Sequence, residues 1–150
     1  MTRVEAEHRF DVPLRAGFDY ITDPERWPEY WPGLVRVESE TQWREPGDVA
    51  RIVLRLLGRA VPLEMTLGRL EPYRLVEYTS VQPGLPAVRH ERHFADAGDG
   101  FHYRIAVEYE PRRGVRGPYD RLLVRRAIAR AMRQTIANLE RAFRDRRPDE

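Results

Sequence analysis

The sequence predicts an α+β fold: an antiparallel sheet covered on one face by a single long helix. Two patterns carry the prediction. From Leu34 to Tyr109 apolar residues alternate with polar ones in short runs separated by Gly and Pro turns, the period of half-buried strands. From about Val115 to Phe143 the period changes. Val124, Ile128, Met132, Ile136, Leu139 and Phe143 recur at steps of four and three, the spacing of one helical face. A third point joins them. The strand connections are short, so neighbours in sequence are neighbours in an antiparallel meander, and its apolar face needs a cover. Only the last helix has a stripe long enough to supply it.

The elements follow in order. Arg3 to Asp11 places Val4, Ala6, His8 and Phe10 on one side and Glu5, Glu7 and Arg9 on the other, a strand with one buried face. Pro13 suits the first position of a helix, and Leu14, Phe18 and Ile21 give that helix an apolar face. Asp23-Pro24 ends it, and Asp23 caps a second short helical piece, Pro24 to Trp31. Six strands come next. Their inward sets are Val35, Val37, Ser39, Thr41 and Trp43; Ala50, Ile52, Leu54 and Leu56; Val61, Leu63, Met65 and Leu67; Val76, Tyr78 and Ser80; Val88, His90, Arg92 and Phe94; and Phe101, Tyr103, Ile105, Val107 and Tyr109. Turns fall at Glu45-Pro46-Gly47-Asp48, Gly58-Arg59, Glu71-Pro72-Tyr73, Pro83-Gly84 and Ala97-Gly98-Asp99-Gly100. A Gly/Pro/Arg linker, Pro111 to Pro118, leads into the long helix, and the charged tail 145–150 reads as frayed.

Composition narrows the function. The 150 residues read as one domain, 1–150, and 41% hydrophobic with 33% charged residues is globular rather than disordered. There is no cysteine, which removes disulfides and thiolate metal sites. The N-terminal residues form no apolar run like a signal peptide, and no window approaches a membrane span, so the expected location is cytoplasmic. The 26 basic residues are all arginine and are interspersed with 24 acids, for a net charge of +2, which argues against a nucleic-acid partner. His90-Glu91-Arg92-His93 is not a metal motif, because His90 and His93 point to opposite faces of a strand. No phosphate-binding, dinucleotide or nucleophile-elbow motif occurs. Neither metal nor cofactor is expected.

The stretch Phe18-Asp19-Tyr20-Ile21-Thr22-Asp23-Pro24-Glu25-Arg26-Trp27-Pro28-Glu29-Tyr30-Trp31-Pro32-Gly33, with the element order around it, resembles the START-like, helix-grip superfamily, the polyketide cyclase/dehydrase and lipid-transport group. The likeness spans essentially the whole chain. It implies a curved seven-stranded antiparallel sheet wrapped around the C-terminal helix, the first strand beside the last, and two short helices after strand 1 plugging one end. It further implies a cavity between helix and sheet for lipids, sterols, quinones, polyketides or other apolar ligands. The family has no universal catalytic motif, so no catalytic role carries over.

The candidate site residues are polar groups in inward phase. Arg92 shares a face with Val88 and Phe94, and an inward arginine is costly unless a partner meets it. Its planar fork suits a carboxylate, phosphate or enolate. His90, on the same face, is placed to donate a hydrogen bond or move a proton. His8, Thr41, Tyr78 and Tyr103 share phase with apolar neighbours, and Met132, Thr135 and Asn138 lie on or beside the helix stripe. Trp27, Tyr30 and Trp31 form either a lid at the cavity mouth or a plug in the core. The expected ligand contacts are thus His8, Trp31, Thr41, Tyr78, His90, Arg92, Tyr103, Met132 and Thr135, with His90, Arg92 and Tyr103 the candidates if there is catalysis. Arg121, Arg125, Arg126, Arg130, Arg133 and Arg141 read as a solvated helix face paired with Asp120, Glu140 and Asp145.

The expected function is binding or carrying a small hydrophobic ligand in that internal cavity. Two alternatives stand beside it: a polyketide cyclase/dehydrase of the aromatase type in the same cavity, and a protein-interaction module acting through the arginine face. Whether the chain is an enzyme stays open, as does its state as monomer or homodimer.

Overall fold

The structure, a computed structural model, describes residues 1–56, 58–83, 86–110 and 117–146, with the side chains of 117–121 outside the description. The elements are β1 (Thr2–Phe10), α1 (Leu14–Ile21), a 3-10 turn (Pro24–Arg26), α2 (Trp27–Tyr30), β2 (Leu34–Val37), β3 (Val49–Leu56), β4 (Arg59–Glu71), β5 (Leu75–Val81), β6 (Val88–Ala97), β7 (Gly100–Tyr109) and α3 (Gly117–Asp145). The linker residues 111–116, the expected helix start at Val115, Gly84 of the Pro83-Gly84 turn and the tail after 146 lie outside the described residues, as do the side chains of Asp120 and Arg121.

The strands form one antiparallel sheet in the order β1-β7-β6-β5-β4-β3-β2. β1 closes beside β7 in continuous register from Thr2↔Tyr109 to Phe10↔Phe101, as the family resemblance implied. The inward phases hold along most strands. Ala50, Ile52, Met65, Leu67, Val76, Tyr78, Phe94, Phe101, Tyr103 and Ile105 are all buried. A bulge between Leu67 and Arg69 shifts the inward set of β4 from odd to even positions, so Leu70 packs on the core after Leu67.

Local chemistry explains the ends. Asp23 accepts a hydrogen bond from the Glu25 backbone N–H at 3.0 Å and starts the 3-10 turn. Gly17 lies so close to β7 that a Cβ there would sit 2.2 Å from Phe101 Cε1, which is how α1 docks on the sheet. Asn138 Nδ2 donates to the Tyr30 carbonyl at 2.9 Å and ties α3 to α2.

Three expectations fail here. β2 ends at Val37, not near Trp43, and Val35, expected inward, is 47% exposed, because a register shift between Leu34 and Arg36 puts Leu34 on the core instead. The segment after it, Glu38 to Gln42, offers no apolar side chain to either face. Instead it bends through Glu40 at φ 61°, and the Asp48 carboxylate accepts from the Arg44 and Glu45 N–H groups. Trp43 still reaches the core, from a loop. On α3, Val124 is 47% exposed, and its neighbours Leu122 and Leu123 are exposed as well. A 29-residue helix is about 44 Å long, whereas a ten-residue strand spans roughly 33 Å and seven strands roughly 30 Å across. The helix therefore outruns the sheet, and only its second half is gripped, through Met132, Leu139 and Phe143 with Ile128 and Ile136 partly covered. Finally, among the described residues Arg125, Arg126, Arg130 and Arg133 make no ion pair; Glu140 bonds His8 on β1 at 2.7 Å instead.

Candidate functional site

Between the concave face, α2 and α3 lies a void of about 50 Å³. Its walls come from the end of α1 (Ile21) and the following Thr22, the aromatic turn (Trp27, Tyr30, Trp31), the β2–β3 loop (Trp43), the sheet (Met65, Val76, Tyr78, Arg92, Phe94) and one residue of α3 (Thr135). Thr22, Trp31, Arg92 and Thr135 are half-buried, while the other lining residues are buried. A groove of about 690 Å³ runs along the outward face of β2 to β4, by Arg36, Arg51 and Glu64, but it is open to solvent and lies outside the helix–sheet interior. A void near 50 Å³ holds a few water-sized bodies, not a lipid chain.

The aromatic walls brace one another. Trp43 meets Trp27 at 5.6 Å and 85°, and Tyr78 at 5.6 Å and 73°, both edge-on arrangements that favour ring quadrupoles. The polar ends of the turn are satisfied at the C-terminus of α1: Trp27 Nε1 and the Tyr30 hydroxyl both donate to the Ile21 carbonyl, at 3.1 and 2.6 Å. Those two donors are thus spent on structure, and their rings face the void.

Register brings the polar groups together. Pairing of β5 with β6 sets Val76 opposite Arg92 and Tyr78 opposite His90. Arg92 Nη2 donates to the Tyr78 hydroxyl at 2.9 Å, Nη1 donates to the Glu91 carbonyl at 3.3 Å, and the guanidinium carbon lies 5.5 Å from the Tyr78 ring centre. No carboxylate among the described residues pairs with it. Burial works against its charge, the neighbouring Tyr78, Tyr103 and Tyr30 raise its pKa above the ordinary arginine value, and a guanidinium is in any case cationic at neutral pH. The Tyr103 hydroxyl is buried near the same guanidinium without hydrogen-bond geometry to any partner. Burial raises its pKa to about 12, against the pull of Arg92.

His90 lies behind the wall rather than in it. Its ring stacks on Tyr78 at 4.4 Å and 4°, and Nε2 shares a 2.8 Å hydrogen bond with Ser80 Oγ, while Nδ1 is buried without a partner. Burial, reinforced by the Arg92 charge, lowers its pKa to about 3. At neutral pH it is an uncharged hydrogen-bonding group, poorly matched to proton transfer.

Of the residues expected from sequence, Trp31, Tyr78, Arg92 and Thr135 line the void. The Thr135 hydroxyl, however, donates to the Ala131 carbonyl of its own helix. Met132 is buried in the core beside the void, and Tyr103 stands behind Arg92. His8 has the inward phase but sits at the β1–α3 seam, bonded to Glu140 and edge-on to Phe10. Thr41 belongs to the loop after β2, where its hydroxyl donates to the Glu38 carbonyl. Neither His8 nor Thr41 reaches the void. Of the walls not expected as site residues, Met65, Val76 and Phe94 carry a signal in their phase, sharing inward faces with Leu67, Tyr78 and Arg92, whereas Ile21, Thr22 and Trp43 reach the void from the end of α1 and from the β2–β3 loop. No group of three or more His, Asp or Glu among the described residues is arranged to hold a metal.

A curved antiparallel sheet gripping a C-terminal helix around an aromatic void defines a START-like, helix-grip protein. Residues 1–144 match the family described as polyketide cyclase / dehydrase and lipid transport, and the chain belongs to that family. Solved structures agree in fold. A protein of Thermus thermophilus superposes with a TM-score of 0.77 at 18% identity, over 93% of this chain and 95% of that one. A START superfamily protein from Mycobacterium smegmatis gives 0.76 at 12%, over 92% and 94%. A Rhodobacter sphaeroides protein gives 0.76 at 18%, over 97% and 93%. No curated protein matches the sequence significantly. Among the described residues no helix is long and apolar enough to cross a membrane.

Proposed function

We propose that the protein binds or carries a small, mostly apolar molecule with a polar or anionic group, held in the void between sheet and helix. One observation carries this: the Arg92 guanidinium lines an aromatic-walled interior space, and among the described residues no carboxylate compensates it. A half-buried cation beside an aromatic cavity, without a counter-charge, is a place where an anionic ligand group would be favoured. The family, with lipid transport in its description, supports the same reading. Catalysis of the cyclase type is less well supported, because His90 is spent on Ser80 and Tyr78 and titrates near 3. Native mass spectrometry of the purified full chain tests the proposal. A co-purifying small molecule that leaves on denaturation is the expected result. A clean apo mass, together with no thermal shift from a panel of aromatic and aliphatic acids, amides and alcohols, would remove it.

A further inference from the structure

The polar side of the void has a charge that can be counted. Arg92 is cationic. His90, two residues along the strand, is uncharged at neutral pH, because burial and Arg92 itself depress its protonation. Among the described residues no other arginine and no carboxylate lines the space. The pocket therefore carries a single positive charge. A monoanion neutralises it, whereas a dianion such as a phosphate monoester would bring a second charge into an aromatic enclosure with nothing to meet it.

The donors point to the shape of the anion. A guanidinium carries five N–H donors. Arg92 uses one on the Tyr78 hydroxyl and one on the Glu91 carbonyl, which leaves three, in the planar fork that fits two oxygens of one carboxylate. The Tyr78 hydroxyl accepts from Arg92 and so keeps its own proton to donate. Apart from Thr22 and Thr135, the rest of the lining is aliphatic or aromatic. Trp27, Trp43 and Phe94 surround the space, and Trp31, half-buried, stands at its edge. The void of about 50 Å³ is too small for a chain and, as it stands, holds only a few water-sized bodies, so even a single ring enters only if a wall gives way.

We propose that the ligand of this cavity is a compact aromatic monocarboxylate, its carboxylate on the Arg92 fork and the Tyr78 hydroxyl, its ring among Trp27, Trp43 and Phe94. This rests on the ligand-binding reading above and narrows it to a chemical class. Entry of the ring displaces the half-buried Trp31, since the void is smaller than such a molecule.

Titration calorimetry on the full chain at pH 7, with trans-cinnamate, cinnamamide and phenyl phosphate as probes, tests it. Cinnamate binds at least about tenfold more tightly than its neutral amide, the size of one charge-assisted hydrogen bond, and more tightly than phenyl phosphate. In Arg92→Met the preference for acid over amide falls to within about twofold while the amide still binds. Tyr78→Phe, which keeps the ring, gives an intermediate preference, and near-UV circular dichroism checks that both variants are folded. Equal binding of acid and amide by the wild type overturns the monocarboxylate and leaves the ligand-binding reading standing. Phenyl phosphate binding as tightly as cinnamate overturns the charge count. If none of the three binds, this proposal falls; a neutral co-purifying ligand in native spectra would then preserve the broader reading, and a clean apo mass would remove both.

Discussion

His90 makes stability depend on pH in a way that can be worked from its surroundings. The perturbation is mild acid, pH 7 to pH 5. In the unfolded chain the imidazole takes a proton near pH 6.5. In the fold it is stacked on Tyr78, bonded to Ser80 and faced by the Arg92 cation, and it resists protonation until about pH 3. Between those values the unfolded state binds more protons, so stability is full above pH 6.5 and falls as the pH drops toward 3. Linkage gives 1.36 kcal/mol for each unit of difference, and integration from pH 7 to pH 5 yields a loss of about 2 kcal/mol from this one group. The assay is urea unfolding at pH 7, 6 and 5 for wild type and His90→Gln. The variant loses the ring stacking at every pH, which is a constant offset. It keeps no group that titrates in this window at position 90. The lowered carboxyl groups of Glu5, Glu29 and Asp48 act at lower pH and are common to both proteins. The wild-type curve should therefore fall about 2 kcal/mol further than the variant's. Parallel curves would refute the argument, and would mean that solvent reaches the ring or that a ring flip finds Nδ1 an acceptor.

Three further outcomes follow from packing. Gly17→Ala should lower stability by roughly 1–3 kcal/mol in thermal or urea unfolding, because its Cβ would overlap the buried Phe101 ring at 2.2 Å. Leu139→Ala should cost about 2–5 kcal/mol, while Leu123→Ser, on the uncovered half of the same helix, should stay within roughly 0.5 kcal/mol; the pair, measured by urea unfolding, tests how far the sheet grips α3. Arg92→Met should leave the melting temperature unchanged or raise it, and a drop comparable to that of Leu139→Ala would show that Arg92 is structural after all.

Much of this architecture is visible in the residues alone, because period and spacing are local properties. The alternation in Phe101 to Tyr109 and the stripe ending at Phe143 translate directly into β7 and the gripped half of α3. What stays hidden depends on position along an element rather than on phase. His8 points inward as its neighbours require, yet its place near the end of β1 delivers it to Glu140 instead of the void. Val124 is in phase with Met132, yet it lies past the edge of the sheet. Thr41 fails for a different reason. It lies in a polar stretch in which no apolar side chain enforces alternation, and loop hydrogen bonds set the backbone instead. The contact between Arg92 and Tyr78 needs the register of β5 on β6, which neither strand states by itself.

The energetics of Arg92 bind the site to the fold. A core that wanted only stability would fill this position with an aliphatic side chain, since replacing a poorly compensated, partly buried charge by one of similar volume is often neutral or stabilising. The chain instead gives the guanidinium the neutral Tyr78 hydroxyl as an acceptor, with the Tyr103 phenol nearby and an imidazole that stays neutral beside it. Phenols are the partners that permit this. An aspartate in their place would satisfy the cation and close its fork to any other anion. Tyr78 spends one lone pair on Arg92 and keeps its proton; Tyr103 holds its hydroxyl nearby without a bond. Such an arrangement leaves stability unspent at one point of an otherwise well-packed interior, and that point coincides with the aromatic void. If Arg92→Met proves as stable as wild type and loses discrimination between acid and amide, the two measurements together locate the ligand's charge at this side chain, because packing alone would move the first and leave the second unchanged.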